Sequence, residues 1–240
     1  MIATDNKIFL VTGATGKQGG AAARHLIKAG VKVRALTRKP DGKSANALRA
    51  MGIEVVKADF NDVSSLDAAM KDVTGVFAVT NFWEPVTGKK EVAQCTNLAD
   101  IAKKHNVQHF VFASIDNPNL AHFVTKHECE QYVKSVELPY TFLRAVYFMD
   151  NLLPGAQGAT FHWAILPEIL GGKTTLQMIS TSDIGWFAAN ALLNPDQFTN
   201  QTIDIAGDEV TYPQVLQAFK NAYNSEPAKS TFMKFLLKNL

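Results

Sequence analysis

The stretch that decides the fold is Lys7-Ile8-Phe9-Leu10-Val11-Thr12-Gly13-Ala14-Thr15-Gly16-Lys17-Gln18-Gly19-Gly20. Its apolar run predicts a buried β-strand, and the residues after Gly16 predict the start of an α-helix. In such a strand–turn–helix unit the first glycine permits a tight turn, the second lets the backbone approach a pyrophosphate, and the third lets helix and strand pack closely. The spacing of Gly13, Gly16 and Gly19 therefore predicts a dinucleotide-binding loop, with the pyrophosphate over the free N–H groups of the helix start.

The residues after the second strand predict which dinucleotide binds. A site for NAD places Asp or Glu there to bind the ribose 2′-hydroxyl, but this chain reads Leu36-Thr37-Arg38-Lys39. Arg38 can hold a 2′-phosphate by a charge-assisted bidentate contact, so NADP(H) is the predicted cofactor. The loop residues predicted to bind it are Gly13, Thr15, Gly16, Lys17, Gln18 and Gly19.

Short runs rich in β-branched and aromatic residues alternate with longer stretches of helical periodicity. The six predicted strands are Lys7–Thr12, Val31–Leu36, Ile53–Lys57, Gly75–Val79, His109–Ala113 and Tyr140–Leu143. Because these strands alternate with helices and are continuously apolar, we predict a parallel sheet covered on both faces. The expected fold class is α/β, a Rossmann-type doubly wound parallel sheet with a smaller C-terminal α/β lobe.

The pattern loosens near residue 150 and divides the chain into two predicted regions. Residues 1–150 form the expected cofactor-binding domain, and residues 151–240 form a small lobe for a substrate or partner. A helix capped at Ser182-Asp183 and a strand over Thr202–Ile205 follow within that lobe. We therefore expect the segment of about 182–206 to pack back on the first domain. Lys229–Leu240 is a candidate for a last helix.

Polar residues at other strand ends should line the same crevice, because open α/β sheets bind ligands at the carboxyl ends of their strands. Asp59 and Phe60 follow the third strand and suit the adenine, as hydrogen-bond acceptor and apolar wall. Residues after the fourth and fifth strands are placed near the ribose and nicotinamide: Thr80, Asn81, Phe82 and Ser114.

Composition excludes several classes of protein. The 24 Lys+Arg and 22 Asp+Glu give a net charge of +2, which argues against nucleic acid as the main partner. Two cysteines and six scattered histidines indicate neither a disulfide framework nor a metal site. No run approaches the roughly 18 apolar residues of a membrane span, and the run at Ile8–Val11 is too short for a signal peptide. We expect a soluble cytoplasmic protein, monomeric or homodimeric.

These motifs resemble the NmrA-like family, an atypical, extended branch of the short-chain dehydrogenases/reductases. Apart from the glycine loop, the resemblance rests on His122-Phe123-Val124-Thr125-Lys126, on Leu143-Arg144 with Phe148-Met149-Asp150-Asn151-Leu152, on Thr181-Ser182-Asp183-Ile184-Gly185 and on Ile205-Ala206-Gly207-Asp208-Glu209-Val210-Thr211. It covers nearly all of the chain and implies NADP(H) binding. The family includes an NADPH sensor protein and is related to isoflavone-reductase-type enzymes.

The resemblance also indicates candidate catalytic residues. Typical short-chain reductases use Tyr-x-x-x-Lys, in which the Tyr donates a proton and the Lys holds the nicotinamide ribose. This chain has His122 and Lys126 at that spacing. Lys126 suits the ribose and, as in isoflavone-reductase relatives, is a candidate acid or base, while His122 is a candidate proton shuttle. The alternatives are that Lys126 only anchors the cofactor and that His122 is a loop residue.

Two functions therefore remain open. The first is an NADPH-dependent reductase of a small carbonyl or quinone-like compound, in which Tyr147 and Phe148 would line the pocket beside the nicotinamide. The alternative for these two residues is that they belong to the core of the small lobe. The second is a non-catalytic redox sensor whose NADP(H) occupancy alters binding to a regulatory protein partner.

Overall fold

A computed structural model describes residues 7–81, 89–116 and 123–230. Their strands are β1 (Ile8–Val11), β2 (Lys32–Thr37), β3 (Glu54–Lys57), β4 (Val73–Ala78), β5 (His109–Ile115), β6 (Tyr140–Ala145), β7 (Tyr147–Phe148), β8 (Thr175–Ile179), β9 (Gln201–Ile205) and β10 (Asp208–Thr211). Their helices are α1 (Lys17–Lys28), α2 (Lys43–Ala50), α3 (Val63–Ala69), α4 (Lys89–Lys104), α5 (Val124–Ser135), α6 (Ala159–Leu170), α7 (Thr181–Leu193), α8 (Pro195–Phe198) and α9 (Tyr212–Tyr223). A 3-10 turn, Met149–Asn151, follows β7.

Seven strands form one sheet in the order β3-β2-β1-β4-β5-β6-β9, and every neighbouring pair is parallel. The chain moves outward from β1 through β2 to β3, then returns to the other side of β1 for β4. The adjacent carboxyl ends of β1 and β4 therefore form the switch point at which such sheets bind ligands. The predicted Rossmann-type parallel sheet is confirmed.

Burial on both faces holds this sheet together, since on β1 Phe9 and Leu10, which point to opposite faces, are both buried. Leu10, Val76, Phe110 and Phe112 are completely buried and belong to one core cluster, into which α4 contributes Leu98. Removing an aromatic or aliphatic side chain of this size from water contributes about 2 kcal/mol each. Continuous apolar strands thus form the rigid layer that presents polar residues at its carboxyl edge.

The chain divides into two compact units, each made of two segments. Unit 1 contains Met1–Ala145 and Ser182–Ile205, and unit 2 contains Val146–Thr181 and Ala206–Leu240. The second segment of unit 1 carries β9, which pairs in parallel with β6 through Thr141 opposite Gln201. The chain therefore leaves the large sheet after Ala145 and returns to it within the last sixty residues.

Unit 2 has its own small sheet, in the order β10-β8-β7, and its own core. Trp163 of α6 is buried there and its indole N–H donates to the Leu152 carbonyl at 3.0 Å. The expected last helix over Lys229–Leu240 falls mostly outside the described residues, and Lys229 and Ser230 are not helical. In the part of the chain that is described, no helix is both long and apolar enough to cross a membrane.

Candidate functional site

The loop after β1 is built around two glycines that cannot carry a side chain. Gly13 has φ +61°, and a Cβ there would lie 3.1 Å from the Cβ of Val79. At Gly19 a Cβ would lie 2.4 Å from the Gly13 carbonyl oxygen and 2.5 Å from that of Thr12. Both neighbours of Gly19 are backbone atoms, which cannot move aside. The first turn of α1 is therefore packed directly against the end of β1, as a dinucleotide-binding loop requires.

The start of α1 fits an anionic ligand. Gly16 precedes the helix without a side-chain cap, and the first turn has no acidic residue. The first N–H groups of a helix have no partner within the helix and carry its positive dipole end. A glycine cradle at an uncapped helix start fits a pyrophosphate-containing cofactor.

The ends of β2 and β3 lie on the same side of the switch point. Arg38 follows β2 and is exposed to solvent. Asp59 follows β3, and its Oδ1 accepts hydrogen bonds from the backbone N–H and the side-chain amide of Asn61 at 2.9 and 3.0 Å. Phe60 packs against the core, and its carbonyl accepts a hydrogen bond from Asn97. Oδ1 of Asp59 thus stabilises the turn that follows β3, and the second carboxylate oxygen is not used in these two hydrogen bonds.

The end of β4 is held by the first turns of α4. Thr80 donates its hydroxyl hydrogen to Glu91 Oε1 at 2.6 Å, and the backbone N–H of Asn81 donates to the Gln94 side-chain oxygen at 3.2 Å. Glu91 and Gln94 are both buried. The predicted residue Phe82, which comes next, lies outside the described residues.

Lys126 is buried at the start of α5 and its ammonium group is turned into the protein. Its Nζ lies 2.8 Å from Glu91 Oε1, 3.0 Å from Thr80 Oγ1 and 3.1 Å from the Ala113 carbonyl oxygen. An ammonium group has three hydrogens to donate, and these three contacts use all of them. The other predicted catalytic residue, His122, lies outside the described residues.

Glu91 remains ionised in this surrounding. Burial acts to raise its pKa, but the ion pair with Lys126 and the hydrogen bonds from Lys126, Thr125 and Thr80 outweigh burial, so the pKa lies below its ordinary value. Thr125 donates to Glu91 Oε2 at 2.5 Å. A charged carboxylate beside a charged amine thus leaves no net charge in the buried cluster.

A second buried cluster follows β5. Ser114 donates to Glu130 Oε1 at 2.6 Å, and Arg144 at the end of β6 forms a two-point contact with the same carboxylate, at 3.0 and 2.6 Å. Glu130 is completely buried. The pKa of Arg144 is raised, chiefly by its hydrogen bond to Glu130. The hydroxyl hydrogen of Ser114, a predicted cofactor-binding residue, is therefore donated within the protein.

Tyr147 and Phe148, the remaining predicted residues, form β7 in unit 2 and are half-buried. The Tyr147 hydroxyl lies 2.6 Å from His162 Nδ1, and burial raises the pKa of the phenol. Among the described residues, no group of three or more His, Cys, Asp or Glu side chains is placed to hold a metal ion.

Sequence reasoning missed Glu91, Gln94 and Glu130. A usable signal was present, since the buried face of α4 runs through residues 91, 94, 95, 98, 99 and 102 and that of α5 through 125, 126, 129, 130 and 133. A charged residue on such an apolar helical stripe needs a buried partner. The sequence does not say which partner it has, because Thr80, Ser114 and Arg144 come from other elements.

Residues 5–239 match the model of the NmrA-like family, and the chain belongs to this family. The resemblance found in the sequence is thereby confirmed.

Individual relatives include reductases and a regulator. A (4-alkanoyl-5-oxo-2,5-dihydrofuran-3-yl)methyl phosphate reductase of Streptomyces griseus is 34% identical over 190 residues, which cover 77% of this chain and 63% of the reductase, so this chain spans less than two thirds of that enzyme. The structure of the Citrobacter sp. triphenylmethane reductase complexed with NADP(H) matches with a TM-score of 0.74 at 19% identity, over 98% of this chain and 84% of that one. NmrA, a negative transcriptional regulator in complex with NAD, matches with a TM-score of 0.74 at 22% identity, over 94% and 74%. At these identities the two structures show a shared fold.

Proposed function

We propose that the protein is an NADP(H)-dependent reductase of a small carbonyl or quinone-like compound. The observation that carries the proposal is the cradle at the carboxyl end of β1, where Gly13 and Gly19 exclude side chains and the start of α1 has neither a cap nor an acidic residue. The Streptomyces relative supports reductase chemistry. NADPH, when bound, supplies a hydride to the acceptor.

Each strand end has a place in the proposed site. The loop from Gly13 to Gly19, with Thr15, Gly16, Lys17 and Gln18, would hold the pyrophosphate, and Arg38 the 2′-phosphate. Asp59 and Phe60 would face the adenine. The residues proposed for the ribose and nicotinamide are Thr80, Asn81, Phe82 and Ser114.

The contacts of Lys126 favour solvent as the source of the proton that completes the reduction. A proton donor must present a hydrogen to the reacting atom, and the three hydrogens of Lys126 are directed at Glu91, Thr80 and the Ala113 carbonyl. Lys126 is thereby suited to hold the ends of β4 and β5 in place.

The same contacts also support the second candidate function, an NADP(H)-responsive regulator. At the ends of β4 and β5, the hydrogens of Thr80, Ser114 and Lys126 are all donated within the protein. A cofactor-binding protein that lacks a proton donor can act as a sensor of cofactor level, through a partner protein or through its own association.

The deciding experiment follows binding and turnover in one preparation. NADPH affinity is measured by fluorescence titration, and NADPH oxidation is then followed with quinones, aldehydes and enones as acceptors. We expect tight binding and turnover of at least one acceptor, with Lys126→Ala as the comparison variant. Tight binding without turnover, accompanied by an NADPH-dependent change of oligomeric state in light scattering, would support the regulator. A protein that does not bind NADPH would contradict both functions.

A further inference from the structure

The ion pair between Glu91 and Lys126 joins four structural elements. Glu91 belongs to α4 and Lys126 to α5, and between them they contact the Thr80 hydroxyl after β4 and the Ala113 carbonyl of β5. Both charged side chains are buried, at 3% and 10% exposure. The ends of two strands at the binding edge of the sheet are thus tied to the first turns of the two helices that follow them.

A second carboxylate–lysine pair, which joins α3 to the same helix α4, differs from this one in its exposure to solvent. At the far end of α4, Lys104 lies 2.7 Å from Asp67, but 62% of the Lys104 side chain is exposed. Water and salt screen such a surface pair, which contributes little to stability. Removing one partner of a buried pair instead leaves an uncompensated charge, which is strongly unfavourable. Of these two pairs, the Glu91–Lys126 pair is therefore the one that constrains the conformation around it.

We propose that Glu91 is a positioning residue for the nicotinamide half of the cofactor, and that it acts by holding Lys126 and Thr80 at the ends of β4 and β5. The proposal rests on the NADP(H) function proposed above. It explains why Asn81, one residue beyond Thr80, is also held from α4, through Gln94. Lys126 then serves as the counter-ion of Glu91, and its removal is harmful chiefly because it leaves Glu91 unpaired.

The charges that act on this pair determine what its variants should do. The titratable groups beside it in the described residues include Cys95 on α4 and Cys129 on α5. The hydrogen bond from Cys129 to Cys95 and the burial of both raise the pKa of Cys129, so that thiol stays neutral. Among the described residues, Lys126 is the charged group that acts most strongly on the pKa of Glu91.

The two single variants should respond to pH in opposite directions. Glu91→Gln leaves a buried ammonium group without a counter-ion, which becomes more tolerable as rising pH removes its proton. Lys126→Met leaves a buried carboxylate, which becomes more tolerable as falling pH protonates it. The double variant Glu91→Gln/Lys126→Met carries no charge at these two positions at any pH, and its glutamine keeps hydrogen-bonding atoms for Thr80 and Thr125.

The test measures the Kd for NADPH between pH 5.5 and 9.5 and, in parallel, the thermal unfolding midpoint of the protein without cofactor. At pH 7.5 we expect each single variant to bind NADPH at least ten-fold more weakly than the wild type. Binding should recover toward high pH in Glu91→Gln and toward low pH in Lys126→Met. The double variant should lie within three-fold of the wild type and show no such pH dependence. Asp67→Asn and Lys104→Met are the matched controls and should leave both quantities unchanged.

Three results would overturn the proposal, and they are distinguishable. Weak binding in the double variant at every pH would mean that Lys126 itself contacts the cofactor. Opposed shifts of the unfolding midpoint with an unchanged Kd would mean that the pair only stabilises the fold. A wild-type protein that fails to bind NADPH would overturn the proposed function together with the positioning role.

Discussion

At one edge of the sheet, the carboxyl end of β1 differs in composition from the carboxyl ends of β4 and β5. The β1 end consists of backbone and glycine, with contacts too close for any side chain at Gly19. The β4 and β5 ends consist of side chains whose hydrogens are donated within the protein, at Thr80 and Ser114. The first region is shaped to receive a ligand, whereas the second is shaped to stay rigid beside it.

The two buried clusters at β4 and β5 share a plan but differ in the cation. Each joins a strand-end hydroxyl, a carboxylate from the following helix and one positive side chain. Lys126 spreads three hydrogens over three elements, while Arg144 directs two nitrogens at the single carboxylate of Glu130. The lysine cluster therefore links elements, and the arginine cluster mainly neutralises one charge.

Removing the cation of the arginine cluster should have the largest effect on stability. Arg144→Met leaves the fully buried Glu130 without its partner, and we expect a loss of about 4 kcal/mol in the free energy of unfolding, measured by urea titration. Glu54→Gln, which breaks the exposed pair with Arg34, should cost less than about 1 kcal/mol. Equal losses in the two variants would show that burial does not distinguish these pairs.

Adding a side chain at Gly19, beside the end of β1, should have the next largest effect on stability. Gly19→Ala drives a methyl group against two backbone carbonyls, and we expect a loss of about 3 kcal/mol in stability with NADPH binding weakened by at least 30-fold. Gly172→Ala, at a position with no atom within 4 Å, is the control and should bind NADPH normally. Normal binding by Gly19→Ala would contradict the proposed cradle.

The amino end of β5 offers a pH probe that is remote from the ligand edge. Burial lowers the pKa of His109 to about 4, partly opposed by the Ala191 backbone, and its Nε2 lies 2.7 Å from the Thr141 hydroxyl. In the unfolded chain this histidine binds its proton near pH 6.5. Its contribution to the free energy of unfolding is therefore fully present above that pH and is lost progressively as the pH falls toward 4. We expect this group alone to remove about 2.5 kcal/mol between pH 7.5 and 4.5.

Comparison of urea unfolding at those two pH values in the wild type and in His109→Gln isolates this contribution. The variant should lose less stability in acid by about that amount, while its NADPH affinity at pH 7.5 stays unchanged. An equally steep loss in the variant would assign the acid sensitivity to other groups.

Reversing the charge of Arg38, after β2, should have the smallest effect on free energy, here that of NADPH binding. It should have the clearest effect on the preference for NADPH over NADH. Arg38→Glu removes a charge-assisted contact worth about 2 kcal/mol, so NADPH binding should weaken about 30-fold and NADH should become the preferred cofactor. Lys32→Glu makes the same charge change at the amino end of the same strand and should leave the preference unaltered. Unchanged NADPH affinity in Arg38→Glu would refute the assignment to NADP(H).

The predictability of the fold differed between the two units for a physical reason. In unit 1 the alternation of apolar strands and amphipathic helices was sufficient, because each element buries a recognisable face. In unit 2 the helix α6 was missed, since Pro167 lies inside it and Gly158 and Gly171 flank it, all of which are loop signals. The helix is instead stabilised by burial of Trp163 and Leu166 in the core of unit 2, and long-range packing of this kind has no local pattern.

The sequence by itself determined the glycine loop, the parallel sheet and the position of Arg38, because these depend on backbone conformation and on the order of elements along the chain. Only the tertiary structure decided that Lys126 turns inward to Glu91 and that Ser114 is held by Glu130. Those partners are separated by 35 and 16 residues, and a buried charge acquires its role from whatever the fold places next to it.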